Sequence, residues 1–282
     1  MNKLLATDLD GTLFYPKRLS RCIPKKNVKF LQKFIDDGNK VVLVSSRSSF
    51  FTSKLAKEIN RPIDFLNCSS SEIISDGVII RSKSIPNDVL KNILNEIDVK
   101  FKPTAFLLTS KKYPILIKDL NRKSGFFKRI YGLYEWFQFS YREDYLLDND
   151  KFDEEVKSGE VYKIMIFYGL RRKNEEISKE INKIIRSDFP QIESSWSSIL
   201  NELTPKDCSK GEGLEFYCKY KNIDPKDVYV VGDSGNDISM FNSFYENSFA
   251  MKHSYPSVKK YANHVVSRVY KIADYVLKGE NK

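Results

Sequence analysis

Histidine is nearly absent from this chain of 282 residues: only His253 and His264 occur, too few to expect imidazole catalysis to organise a site. Cysteine is sparse and scattered. Cys22, Cys68, Cys208 and Cys218 form no Cys-x-x-Cys pair and have no histidine cluster to join. That argues against a disulfide framework and a zinc knuckle, and fits reduced thiols in a cytosolic protein. No apolar run is long enough to span a bilayer. The polar pair Asn2-Lys3, followed by a short apolar stretch that is cut at Asp8, leaves no room for a signal peptide. A cytoplasmic location without membrane association is therefore expected.

The chain also lacks any concentrated basic tail, although its formal net charge is +10. Such a field attracts nucleic acid, an anionic surface or a small anionic substrate alike. The lysines are spread along the whole length, which favours a solvated surface over a nucleic-acid footprint. With histidine scarce, the chemistry should rest on carboxylates.

Lys3 to Thr7 and Val41 to Ser45 are short apolar runs ending in polar residues, the pattern of parallel strands buried on both faces. Between them, Pro24 can open a helix along which Val28, Leu31, Phe34 and Ile35 recur at helical spacing. A second helix around Phe50 to Ile59 leads to the apolar stretch Ile63 to Leu66, continuing the βαβ grammar. From about Ile85 to Leu203 the pattern changes, with helical segments at Asn87 to Ile97 and Lys173 to Ile185 and strand-like pieces at Thr104 to Leu108 and Val161 to Phe167. After Pro205 the first grammar returns: a helix at Lys210 to Lys221, a buried strand at Val228 to Val231, a helix near Asn236 and a strand at Ser248 to Met251. The expected fold is α/β, a Rossmann-like parallel-sheet core of residues 1–83 and 205–282 with an inserted α/β cap of residues 84–204.

Asp8-Leu9-Asp10-Gly11-Thr12-Leu13 follows the first strand directly, at the carboxyl end where open parallel sheets bind ligands. In extended backbone Asp8 and Asp10 would address one small volume, and Gly11 permits a sharp departure. Two carboxylates that close repel unless a cation or proton intervenes. Gly232-Asp233-Ser234-Gly235-Asn236-Asp237 follows a second apolar strand and could complete a hard-cation site, for which magnesium is the usual occupant. Asp233 and Asp237 could instead simply cap the next helix. Ser45 and Lys210 offer a hydroxyl and a cation for phosphoryl oxygens.

These motifs, in this order, resemble the haloacid dehalogenase superfamily. Leu203-Thr204-Pro205-Lys206, Ser209-Lys210-Gly211 and Gly232-Asp233 to Asn236-Asp237-Ile238-Ser239-Met240 resemble its Cof-type branch, whose large α/β cap is inserted after the second motif. The resemblance implies a magnesium-dependent phosphatase for a small phosphorylated metabolite, a sugar phosphate first of all. Asp8 would be the nucleophile that forms an aspartyl-phosphate, and Asp10 the acid and base. Asp8, Asp10 through its backbone carbonyl, and Asp233 would hold Mg2+, with Asp237 behind them. Ser45, Lys210 and Asn236 would bind the phosphoryl group. A phosphomutase on sugar phosphates uses similar aspartates, and a basic polyanion-binding protein with incidental catalysis is the reading from another class.

Three stretches depart from the family pattern: Ser45-Ser46-Arg47 has a side chain where glycine is common, Ser69-Ser70-Ser71 replaces Ser-Asn-Gly, and Lys252-His253 replaces Gly-Asn. They bear on the leaving-group pocket. The aromatic and basic run from Phe126 to Tyr141 could stack on a sugar or base or fill a core. The acidic run from Glu143 to Glu155 does not follow calcium-loop spacing and reads as a solvated edge.

Overall fold

The apolar run after Asn2 becomes strand β1 (Leu4–Thr7), every residue of it buried. In the computed structural model, which describes residues 3–18, 20–120, 139–169, 174–196 and 200–276, β1 lies inside an eight-stranded sheet. The other members are β2 (Lys40–Val44), β3 (Asp64–Asn67), β4 (Glu72–Ser75), β5 (Val78–Ser82), and, much later in the chain, β12 (Val228–Gly232), β13 (Ser248–Met251) and β14 (His264–Val266). The order is β14-β13-β12-β1-β2-β3-β4-β5. The pairings from β14 to β3 are parallel and β3 with β4 is antiparallel. Parallel strands covered on both faces account for near-continuous apolar runs such as Val41–Val44 and Val228–Val231.

Register decides what these strands can present. Thr7 lies opposite both Val231 and Leu43, so β1, β2 and β12 end level with one another. Asp8, Ser45 and Asp233, which follow those ends, share one edge of the sheet at the point where strand order reverses around β1. One face of the sheet is packed by the helices Lys210–Lys221 and Ile238–Ser243 through Leu214, Tyr217, Met240 and Phe241, all 0% exposed. Burying each such side chain contributes on the order of 1.5–3 kcal/mol. The helices Lys25–Asp36 and Ser49–Ile59 also contact the sheet and bury Leu31, Phe34, Phe51 and Leu55.

The chain forms two compact units, residues Met1–Arg81 with Ser209–Lys282, and Ser82–Cys208. The second holds a six-stranded sheet of β6 (Ala105–Ser110), β7 (Leu116–Asp119), β8 (Leu146–Leu147), β9 (Val161–Phe167), β10 (Ile192–Trp196) and β11 (Leu200–Pro205), in the order β10-β11-β9-β6-β7-β8. The helices Asn87–Phe101, Asn149–Ser158 and Asn174–Asp188 contribute to its main core with Ile93, Ile97, Phe152, Ile181 and Ile185 against Phe106, Leu108, Ile164 and Ile166. The second cut falls at Ser209 because β11 runs to Pro205 in an antiparallel ladder with β10, and the Lys206 N–H donates to Gln191 C=O at 2.8 Å. Of the acidic run, Asp148 caps the helix Asn149–Ser158 by accepting from the Lys151 N–H, and Asp153 pairs with Lys118 at 2.6 Å. Residues 121–138, most of the aromatic and basic run, lie outside the described residues.

Gly213, on the buried face of the helix Lys210–Lys221, lies so close to Ser70 that a Cβ there would collide with the Ser70 Oγ and Cβ. Helix propensity alone favours alanine over glycine by about 1 kcal/mol, whereas overpacking costs about 1–3 kcal/mol. Gly213→Ala is therefore expected to lower stability by up to about 2 kcal/mol in urea unfolding. A rise in the urea midpoint would show that the Ser70 turn yields freely.

Candidate active site

The backbone stays extended through Asp8 and winds from Leu9. The Asp8 N–H still donates to Val231 C=O at 3.0 Å, but the next residues wind into a tight turn in which the Leu13 and Phe14 N–H groups donate to Asp8 C=O and Leu9 C=O at 3.2 and 3.0 Å. Gly11 makes this possible: its φ is +81°, and a Cβ there would run into the Asp233 carboxylate. Thr12 returns toward the same carboxylate, its Oγ1 donating to Asp233 Oδ1 at 3.0 Å. The turn after β1 and the loop after β12 are thus fitted to each other side chain by side chain.

Within the second loop, Asp237 Oδ2 accepts from the Asp233 and Ser234 N–H groups at 2.9 and 3.0 Å. This is the capping role that aspartate often fills, yet Asp237 also faces the site. Its Oδ1 accepts from Lys210 Nζ at 2.6 Å, and the same ammonium donates to Asp8 Oδ1 at 2.7 Å. Lys210 begins the helix Lys210–Lys221 just after a capping box of Ser209 and Glu212, which fixes the helix start. The side chains of Asp8, Lys210 and Asp237 are 7%, 1% and 0% exposed.

Three carboxylates, Asp8, Asp233 and Asp237, bring oxygens within 4.8 Å of one another. Lys210 offsets one negative charge and leaves two. Burial pushes the Asp8 carboxyl well above its ordinary range, Asp237 and Asp233 push it further, and Lys210 opposes them. Asp233 is raised for the same reasons, burial first and then Asp237. Burial works to lower the Lys210 pKa, but Asp237 and Asp8 together outweigh it, so the ammonium is held firmly charged. Asp8 Oδ2 is buried and has no hydrogen-bond partner among the described residues. An all-oxygen donor set with excess negative charge and an orphaned carboxylate oxygen fits a hard divalent cation.

Asp10 does not join this cluster. Both of its carboxylate oxygens accept from Arg47, Oδ2 from Nε at 2.6 Å and Oδ1 from Nη2 at 2.9 Å, and its side chain is 53% exposed. The strand-like alternation expected of Asp8 and Asp10 does not apply, because the backbone winds from Leu9 and reverses at Gly11, and the Asp10 side chain faces Arg47 beside the acidic cluster. Among the described residues the acidic cluster is Asp8, Asp233 and Asp237. Ser45, buried at the end of β2, accepts on Oγ from the Arg47 N–H at 3.1 Å, leaving its hydroxyl hydrogen to donate elsewhere. Asn236 Oδ1 accepts from Ser234 Oγ at 2.7 Å, which orients the side-chain amide.

Arg47 and Thr12 had no assigned role in the sequence, although both stand inside its motifs. His253 lies at the margin, its Nε2 3.9 Å from Asp233 Oδ2 and its ring 4.0 Å from that of Tyr15, centroid to centroid. His264 packs between Phe249 and Tyr275.

The chain resembles known proteins along most of its length. A family model described as haloacid dehalogenase-like hydrolase matches residues 5–275. The putative phosphatase YkrA of Bacillus subtilis is 21% identical, covering 95% of this chain and 93% of its own length. A second protein of that organism, 5-amino-6-(5-phospho-D-ribitylamino)uracil phosphatase YwtE, is 25% identical over 85% of this chain and 84% of its own. Among solved structures, SMU.1108c from Streptococcus mutans superposes with a TM-score of 0.80 at 20% identity, covering 99% of this chain and 100% of that one.

Replacing Lys210 by methionine would leave three carboxylates facing one another with no internal countercharge. In chelator, Lys210→Met is expected to lose about 3–5 kcal/mol of folding stability, the cost typical of breaking a buried ion pair. Adding a divalent cation should recover part of that loss. Unfolding in denaturant with and without metal checks it; a variant as stable as the wild type in chelator would contradict the charge account.

Proposed function

The chain belongs to the haloacid dehalogenase-like hydrolase family, and from that premise we propose that it is a magnesium-dependent phosphatase of small phosphate monoesters that works through an aspartyl-phosphate at Asp8. The observation that carries the reading is the state of Asp8: one oxygen is held by Lys210, the other is buried and has no hydrogen-bond partner among the described residues. A carboxylate oriented through one oxygen has its second free to attack. Sugar phosphates are the proposed substrate class. A relative named for a phosphorylated ribityl compound supports a polyhydroxylated leaving group.

In the first half-reaction Asp8 Oδ2 forms a bond to phosphorus while the bond from phosphorus to the ester oxygen breaks, and the Asp10 carboxyl gives its proton to the departing alkoxide. In the second, Asp10 takes a proton from water, the water oxygen bonds to phosphorus, and the acyl-phosphate bond breaks to return Asp8 and release inorganic phosphate. Lys210 anchors Asp8 Oδ1 and has a third N–H with which to meet a phosphoryl oxygen. The Ser45 hydroxyl and the Asn236 amide are the other proposed donors to that group. Magnesium would be held by Asp8 and Asp233, with the Asp10 carbonyl and Asp237 in support, and supplies positive charge against the phosphoryl oxygens. Small phosphorylated metabolites, rather than nucleic acid, are the proposed partners.

Phosphate release from a panel of sugar phosphates, nucleotides and an aryl phosphate tests the proposal. Turnover should require magnesium and stop in chelator, and Asp8→Asn should lower it by about 10^3-fold or more, because the amide is a poor nucleophile and a weaker ligand. Comparable turnover in Asp8→Asn would rule out the covalent route.

A further inference from the structure

The clamp on Asp10 is lopsided. Its side chain is 53% exposed, while that of Arg47 is 13% exposed. Two parallel N–H···O bonds from a planar fork fix a carboxylate in orientation as well as position, so Arg47 is the fixed partner and Asp10 the one being held. Arg47 is itself secured along its length. The guanidinium carbon sits 4.2 Å from the centroid of the Phe51 ring, the backbone N–H donates to Ser45 Oγ at 3.1 Å, and the backbone C=O accepts from the Cys68 N–H at 2.9 Å.

The last of these contacts comes from an unusual turn. Cys68, Ser69 and Ser70 have φ of 49°, 54° and 78°, three consecutive non-glycine residues in the left-handed region. Such backbone persists only where its surroundings over-determine it. Here the turn directs two successive amides back onto the loop after β2: Cys68 N–H to Arg47 C=O, and Ser69 N–H to Ser45 C=O at 3.0 Å. Gly213 lies against Ser70 and closes off its retreat. An ordinary surface ion pair has no need of such a foundation.

We propose that Arg47, anchored by the Cys68–Ser70 turn, is the positioning residue that aims the Asp10 carboxylate for proton transfer. The inference rests on the acid and base role of Asp10 proposed above, and it gives the departure at Ser69 and Ser70 a purpose. Arg47 acts through Asp10 and not on substrate. A lysine at the same position keeps the charge but offers a point where the carboxylate needs a fork.

The test is a double-mutant cycle on an alkyl phosphate with magnesium, run as single turnovers so that slow rates stay measurable. Arg47→Met and Arg47→Lys should each lower kcat by about 10-fold or more with KM within about 3-fold, as expected for a group that acts in the chemical step. In the Asp10→Asn background Arg47→Met should cost less than about 2-fold, since residues acting as a unit are not additive. Thermal unfolding should find Arg47→Lys folded like the wild type; if Arg47→Met unfolds, Arg47→Lys carries the cycle. A raised KM, full additivity, or wild-type kcat in Arg47→Lys would overturn the inference. No phosphate release by the wild-type protein would instead overturn the proposed function beneath it.

Discussion

Repulsion among three crowded carboxylates, two of them buried, is the constraint around which the core site is built. Asp8, Asp233 and Asp237 lie close together, and Asp8 and Asp237 are shut off from water, so their charges are poorly screened. Lys210 relieves one charge and ties Asp8 to Asp237, but two remain. The neighbouring features manage that residue of charge: the Asp233 and Ser234 amides aim at Asp237, Thr12 steadies Asp233, and burial, aided by Asp237 and Asp233, raises the Asp8 carboxyl. A donor set arranged this way suits a hard cation.

The sheet supplies the precision. Because β1, β2 and β12 end in register, the carboxylates and Ser45 project from adjacent strand ends whose positions are set by ladder hydrogen bonds and packed helices, not by free loops. The chain then leaves that frame twice, freely at Gly11 and under strain at Cys68 to Ser70. Positive φ at three successive side-chain-bearing residues costs about 1 kcal/mol or more each, so the folded state gives up stability to shape the loops around the site.

Much of this was legible in the sequence. Apolar runs that end in Asp8 and in Gly232-Asp233 announced parallel strands carrying acid at their carboxyl ends, and Lys210 stood just where a helix would present it. The change of pattern between Ile85 and Leu203 corresponds to a second sheet with its own core. What could not be read was orientation. The spacing of Asp8 and Asp10 suggested a shared volume, and only the winding of Leu9–Leu13 shows that Asp10 turns toward Arg47. The antiparallel strand β4 was hidden for a similar reason: it follows a turn in which Cys68, Ser69 and Ser70 take a left-handed backbone that no local rule for these residues would favour.

A phosphoryl group bonded to Asp8 is the most direct sign of the central claim. Acid quench during turnover of a sugar phosphate, followed by mass spectrometry of the peptide that contains Asp8, should find that group in the wild type. It should accumulate further in Asp10→Asn with an aryl phosphate, whose good leaving group spares the first step while the second still needs a base. Rapid turnover with no phosphoryl group on the protein in either form would mean that water attacks the substrate directly, and the account of Asp8 would be wrong.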